Sequence, residues 1–350
     1  MSEGPMNPPA SSYRQWLLAE GLDVIPGNYV PDLRLVGLRP WARTGGAACF
    51  INHDGSDTSN DCYISEVPPG GSLLPQRHLH EAMFYVLHGR GSSTVWDPSG
   101  HEHFFEWQEG SLFAIPMNAP YRHHNGSGDD VVRLLAVTNA PTLINLFADA
   151  DFIFNCEYHF PRRFSGARGY FSGQGSLDGR IWATNFVPDV RGFKLIDYKE
   201  RGAGTNIHLK LAGNTMGAHI SEFPVGTYKK AHRHGPGAHV IILDGTGYTL
   251  MWREGEEMQR FDWSVDSLVI PPDMMFHQHF NTGSTPARYL ALRHTESKAR
   301  DGATGLPMSS ISTRNGGDQI DHEDENPRVR EMYRLECEKH GVEFRMDEHR

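Results

Sequence analysis

None of the four cysteines (Cys49, Cys62, Cys156 and Cys337) stands at a spacing used by zinc sites or disulfide frameworks. A thiolate metal knuckle and a stapled secreted scaffold are both excluded on that ground. Positive charge is also scarce: 33 Lys and Arg stand against 43 Asp and Glu, a net charge of −10. Phosphate backbones are bound by positive fields, so no nucleic-acid partner is expected. No run approaches the roughly 18 consecutive apolar residues of a membrane span, so no membrane association is expected either. The opening MSEGPMNPPASSYRQW is polar and proline-rich, unlike a secretory leader, and a reducing cytoplasm is the expected location. Helical periodicity is confined to two stretches near the ends. SSYRQWLLAE (11–20) carries a serine cap, and NPRVREMYRLECEKHG (326–341) opens on Asn-Pro and closes on Gly. Packing or assembly is the role expected of both. What the chain has in excess is histidine: twenty residues, several of them clustered.

A length of 350 residues leaves room for two domains and a substantial core without staples. The second half repeats the first at an offset of 156. SEVPPG (65–70) returns as SEFPVG (221–226), and QRHLHEAMFYVLHGRG (76–91) returns as HRHGPGAHVIILDGTG (232–247). Trp96, Phe105, Trp107, Ser111, Leu112, Pro116, His123 and Asn125 match Trp252, Phe261, Trp263, Ser267, Leu268, Pro272, His279 and Asn281, with no gap between 65 and 134. Each copy reads as all-β. MFYVL, HVIIL, SLFAI and SLVI are short runs rich in β-branched and aromatic residues, bounded by turn formers. HGRG and DGTG are hairpin turns in which glycine supplies positive φ. Two sandwiches or barrels in tandem are expected. Asn125 and Asn281 are expected to close turns, and Trp96 and Trp252 to pack in the core. Residues 298–320 read as a loop and HEDEN (322–326) as a solvated acidic face.

His232 and His234, as His-x-His on a strand, send both imidazoles to one face, because strand side chains alternate. His277 and His279 do the same on a later strand. In a small closed sheet three inward imidazoles can meet at one ion. Gly226, His232, His234, Gly245, Pro272, His277 and Asn281 together resemble the two-part cupin signature. The implied fold class is all-β, two tandem cupin (double-stranded β-helix, or jelly-roll) domains with short terminal helices. The implied organisation is an N-terminal arm with a short helix (1–60), an N-terminal cupin with a degenerate metal site (61–150), an inter-cupin segment (151–215), a C-terminal cupin carrying the metal site (216–297) and a tail with a helix (298–350). Equivalent positions in the first copy hold Gln76, His78 and Tyr121, so only the second copy is expected to bind metal. A shifted first-copy site from His78, His80, His123 and His124 is the lesser alternative. His239 is out of phase with His234.

Cupins commonly add a glutamate ligand where this chain has Ala238, with Ala82 at the matching place. A three-histidine site without that acid resembles the gentisate and salicylate 1,2-dioxygenases. The resemblance implies Fe(II) held by His232, His234 and His277. It also implies a small aromatic acid and O2 as substrates, cleavage between the carboxyl- and hydroxyl-bearing carbons, and a homo-oligomer. Three neutral ligands leave the metal charge uncompensated and three positions free, which suits a carboxylate beside a phenolate plus O2. His279 is the candidate catalytic residue, bonding substrate or dioxygen or taking the phenol proton; a role in orienting a ligand stands beside it. An arginine is expected for the substrate carboxylate. Arg288 and Arg293 are both open, while Arg233 and Arg77 are read as structural. Met274, Met275, Phe276 and Phe280 would suit a flat ring or simply pack. Two other readings stand: a three-histidine cupin oxygenase acting on a thiol or 1,3-dicarbonyl, and a bicupin that binds metal or ligand without turnover.

Overall fold

The computed structural model describes residues 10–52, 58–235, 237–294, 300–302 and 305–349. His53 and parts of the 298–320 stretch lie outside the described residues. Two antiparallel β domains follow one another, each built from a large and a small sheet. In the first, the strands Gly46–Asn52, Asp61–Val67, Val132–Thr138, Ala82–His88 and Leu112–Ile115 lie side by side. In the second, Thr205–Leu211, Met216–Phe223, Ala287–His294, His239–Asp244 and Leu268–Val269 take the same order. The internal repeat is thus a repeat of topology. The turn after Asn281 is one residue shorter than its counterpart: Asn125 Nδ2 reaches the carbonyl of Asp130, while Asn281 Nδ2 reaches that of Thr285. The ungapped register read up to residue 134 is corrected here: beyond that turn the two copies are offset by 155.

The apolar runs are continuous because their strands are buried on both faces. Phe84 and Val86 point into the first domain's own core, while Met83, Tyr85 and Leu87 pack between the domains. Val240 and Ile242 against Ile241 and Leu243 repeat the division. The hairpin glycines behave as expected: Gly89 and Gly245 both have φ of 86°. A Cβ on Gly247 would meet the Phe280 carbonyl at 1.9 Å, so that position needs glycine for close approach.

The two copies also exchange strands. Tyr29–Val30, near the start of the chain, pairs with Leu268–Val269 of the second domain, and Phe186–Val187 pairs with Leu112 and Phe113 of the first. Both terminal helices form as the sequence predicts. Helix α1 (Ser12–Glu20) is capped by Ser11, and helix α4 (Pro327–His340) by Asn326 with Gly341 left-handed at its end. The confinement of helix to the ends is corrected by α2 (Ala140–Phe147) and α3 (Ala150–Asn155), which pack with α1 over Trp16, Trp41 and Phe50. They escape a periodicity search because six to eight residues hold barely two turns. The 298–320 stretch contains a short helical turn at Met308–Ser310, and Gln319–Ile320 pairs with Ala231–His232. Among the described residues no helix is long and apolar enough to cross a membrane.

Candidate metal centre

His232 and His277 are cross-strand partners in the small sheet of the second domain, and His234 follows where its strand ends. Their rings close into a triangle, with centroid separations of 4.2 Å (His232–His277), 4.9 Å (His234–His277) and 5.5 Å (His232–His234). One nitrogen from each lies within 4.8 Å of the others, and no acidic side chain belongs to the group. The Nδ1 atoms of His232 and His277 face the carbonyl oxygens of Lys230 and Met275 at 3.2 and 3.1 Å. A proton held on Nδ1 leaves the Nε2 lone pair free, the arrangement usual for metal-ligating imidazoles. Burial pushes His277 down to about 3, with Arg201 and Arg293 acting in the same direction. Burial likewise holds His232 well below the ordinary imidazole range. Both are therefore neutral, the form that binds metal. Ala238 lies beside them in the cavity wall, where an acidic fourth ligand would otherwise reach in.

His279 shares the face of His277, 5.7 Å away between centroids. Its Nδ1 is 2.8 Å from Thr249 Oγ1, which accepts the Trp263 indole N–H at 3.0 Å. The first domain builds the same relay from His123, Ser93 and Trp107, at 2.8 and 2.9 Å. Orientation of this histidine thus belongs to the shared fold, whereas the metal-capable triangle belongs to one copy.

In the first copy His78 Nε2 meets the Tyr121 hydroxyl at 3.0 Å, and His80 stacks on His78 with centroids 3.7 Å apart. His124 is bonded to Ser72 and Thr94. These groups satisfy one another instead of converging. Among the described residues a second cluster, Asp61, Cys62 and His239, lies between the domains, but Asp61 already accepts bonds from Tyr13 and Asn52.

A cavity of about 160 Å³ opens onto the three histidines. Its apolar surface comes from Ala238, Val240, Ala291, Tyr289 and Leu306. None of the flat-ring candidates lines it: Met275, Phe276 and Phe280 pack in the core and Met274 is exposed. Arg180, Arg201, Lys229 and Arg293 make the wall cationic, and burial pushes Lys229 down to about 7. The carboxylate among the lining residues is Glu200, mostly exposed and 3.9 Å from Arg180.

Of the two arginines left open, Arg288 is spent on Glu222 and the carbonyls of Val190 and Phe193. Arg293 faces the cavity. Alternation carries the signal that sequence reading missed: Tyr289, Ala291 and Arg293 share the inner face, while Leu290 and Leu292 face the other domain. His208 and His219 also line the cavity. Arg233 is paired with Asp318 at 2.8 Å. The acidic HEDEN stretch is not wholly solvated, because the Glu325 side chain is buried against Tyr228 and Gln278.

Residues 63–138 match the family model described as Cupin domain. No curated protein matches the chain. A mutant of Bacillus subtilis oxalate decarboxylase, 14% identical, superposes over 79% of each chain with a TM-score of 0.52. A Bacillus subtilis oxalate decarboxylase described for its Mn(II) centres, 13% identical, does so over 79% of each chain with a TM-score of 0.51. The fold is that of a bicupin. At such identities the likeness concerns architecture, and the chemistry of this bicupin rests on its own side chains.

Proposed function

We propose that this bicupin is a non-haem Fe(II) dioxygenase that opens the ring of a small hydroxybenzoate, with His232, His234 and His277 holding the metal. The observation that carries the proposal is a triangle of imidazoles, joined by no carboxylate among the described residues, at the floor of a cationic cavity. Its donor set fits a divalent transition ion. When bound, such an ion supplies redox contact between an aromatic ring and O2. The protein's own contribution is binding, orientation and proton placement. A volume of about 160 Å³ is close to the roughly 150 Å³ cavity known to hold a benzene ring. Tyr289 and Val240 offer apolar surface to such a ring, and the arginines and Lys229 offer charge to its carboxylate. On this reading His279, bonded to Thr249, shares a hydrogen bond or a proton with the substrate.

A second reading is a metal-dependent enzyme acting on a small dicarboxylate, favoured by the cationic wall and by the fold shared with oxalate decarboxylase. Ala238 and the apolar half of the cavity weigh against it. The test is oxygen uptake by anaerobically iron-loaded protein across gentisate, salicylate, substituted salicylates and oxalate. Uptake with one aromatic acid, accompanied by a new near-ultraviolet absorbance, is expected. No uptake with any ring, or CO2 release from oxalate, overturns the proposal.

A further inference from the structure

Arg293 is a buried cation with no acidic partner among the described residues. Its relative exposure is 5%, its Nε has no hydrogen-bond partner, and among the described residues it makes no ion pair. The other cations of the cavity are engaged. Arg180 donates to Asn206, Arg201 donates to Ser309 Oγ at 2.9 Å, and Lys229 Nζ reaches the Ala203 carbonyl at 3.2 Å. Burying an uncompensated charge is costly, and a fold tolerates it where an anion is bound in use.

The first copy serves as control. With the one-residue turn difference, Thr138 stands where Arg293 stands, and Leu73 stands where Lys229 does. The first-copy cavity is only about 20 Å³ and is lined by Thr138 with Trp16, Phe50 and Tyr121. Its arginine, Arg43, is paired with Glu20. The unpaired cation therefore accompanies the histidine triangle and is missing where the triangle is missing.

We propose that Arg293 anchors the carboxylate of the small aromatic acid bound in the three-histidine cavity, an assignment that rests on the function proposed above. The guanidinium presents a planar fork that matches a carboxylate with two parallel hydrogen bonds. Its strand carries Tyr289 and Ala291 on the same face, so these two residues offer a surface along which the ring of an anchored acid can lie. A neutral phenol gains nothing from such an anchor.

The experiment is calorimetric titration of zinc-loaded protein, a redox-inert form, with salicylate, phenol and oxalate. Wild type is expected to bind salicylate well above phenol and oxalate. Arg293→Met is expected to weaken salicylate binding by roughly 30-fold or more. Phenol affinity and zinc content should stay within about threefold of wild type. Arg293→Lys, which keeps the charge without the fork, should fall between.

Unchanged salicylate affinity in Arg293→Met overturns the assignment. So does parallel loss of phenol, zinc and salicylate in both variants, and so does wild type preferring oxalate. The two proposals fail separately. Arg293-dependent salicylate binding without oxygen uptake by the iron form sinks the ring-cleavage reading and leaves the anchor. Oxygen uptake undiminished in Arg293→Met does the reverse.

Discussion

His279 is the residue at which orientation and chemistry meet. Thr249 and Trp263 hold its ring, so its free edge faces the cavity in one attitude. His279→Ala is expected to leave metal content intact and lower turnover by roughly 100-fold or more, the usual range for a lost general acid or base. Metal analysis and oxygen uptake on the same preparation check this. Equal loss of metal and rate would make His279 a structural support. Thr249→Val, which keeps the shape and removes the hydroxyl, should lower turnover by about tenfold with metal retained. Ala238→Glu tests the missing ligand from the other side. A fourth, anionic ligand should keep the metal but displace the bidentate substrate, so salicylate affinity falls by about tenfold or more. Salicylate binding unchanged by the glutamate would mean that the acid does not use the metal. The three histidines were legible because strand alternation and an internal repeat act on sequence alone. Arg293 was not, because choosing it over Arg288 needs the phase of a strand whose two faces are both buried.

At the scale of elements, helix α4 closes the second domain. Val329, Tyr333 and Cys337 lie on one face and pack with Tyr228, Tyr248 and Phe280 on the outer side of the histidine-bearing sheet. The Tyr333 hydroxyl is within reach of the carbonyls of Asn281, at 2.5 Å, and Thr227, at 3.0 Å. Asn281 ends the strand that carries His277 and His279, so the helix secures the end of that strand. Tyr333→Phe should cost about 1 kcal/mol through the lost hydrogen bond at the strand end, measured as a lower midpoint in urea with an unchanged slope. A midpoint equal to wild type would mean that water or a neighbour takes over. Both terminal helices could be read from their caps and periods. The two inner helices could not, being short and held by packing against each other and the surrounding aromatic residues. The short turn at Met308–Ser310 escaped as well. It stands over the cavity through Pro307 and Ser310, a position set by tertiary packing and by Arg201 bonding Ser309.

At the scale of the whole molecule the exchanged strands tie each domain's large sheet to chain that also serves the other domain. Ser267 Oγ donates to the Pro31 carbonyl at 2.6 Å, and Ser111 Oγ donates to that of Pro188 at 2.7 Å. Three residues beyond each proline comes an arginine, and the two cross at the domain junction. Arg34 binds Glu109 at 2.7 Å and Asp266 at 2.6 Å, while Arg191 binds Glu109 at 2.6 Å and lies 3.7 Å from Asp266. The Asp266 side chain is nearly buried, and the arginines are about one-third exposed. Breaking a fully buried pair costs about 3–5 kcal/mol, and exposed pairs are worth about 1 or less. Arg191→Met should therefore lie between, at about 1–3 kcal/mol, lowering the thermal midpoint by a few degrees. Because each domain's large sheet includes a strand connected through the other, calorimetry should record one transition in both proteins. A variant that melts in two separated steps would mean that the junction is an ordinary interface between domains that fold independently, and that the exchanged strands add little to it.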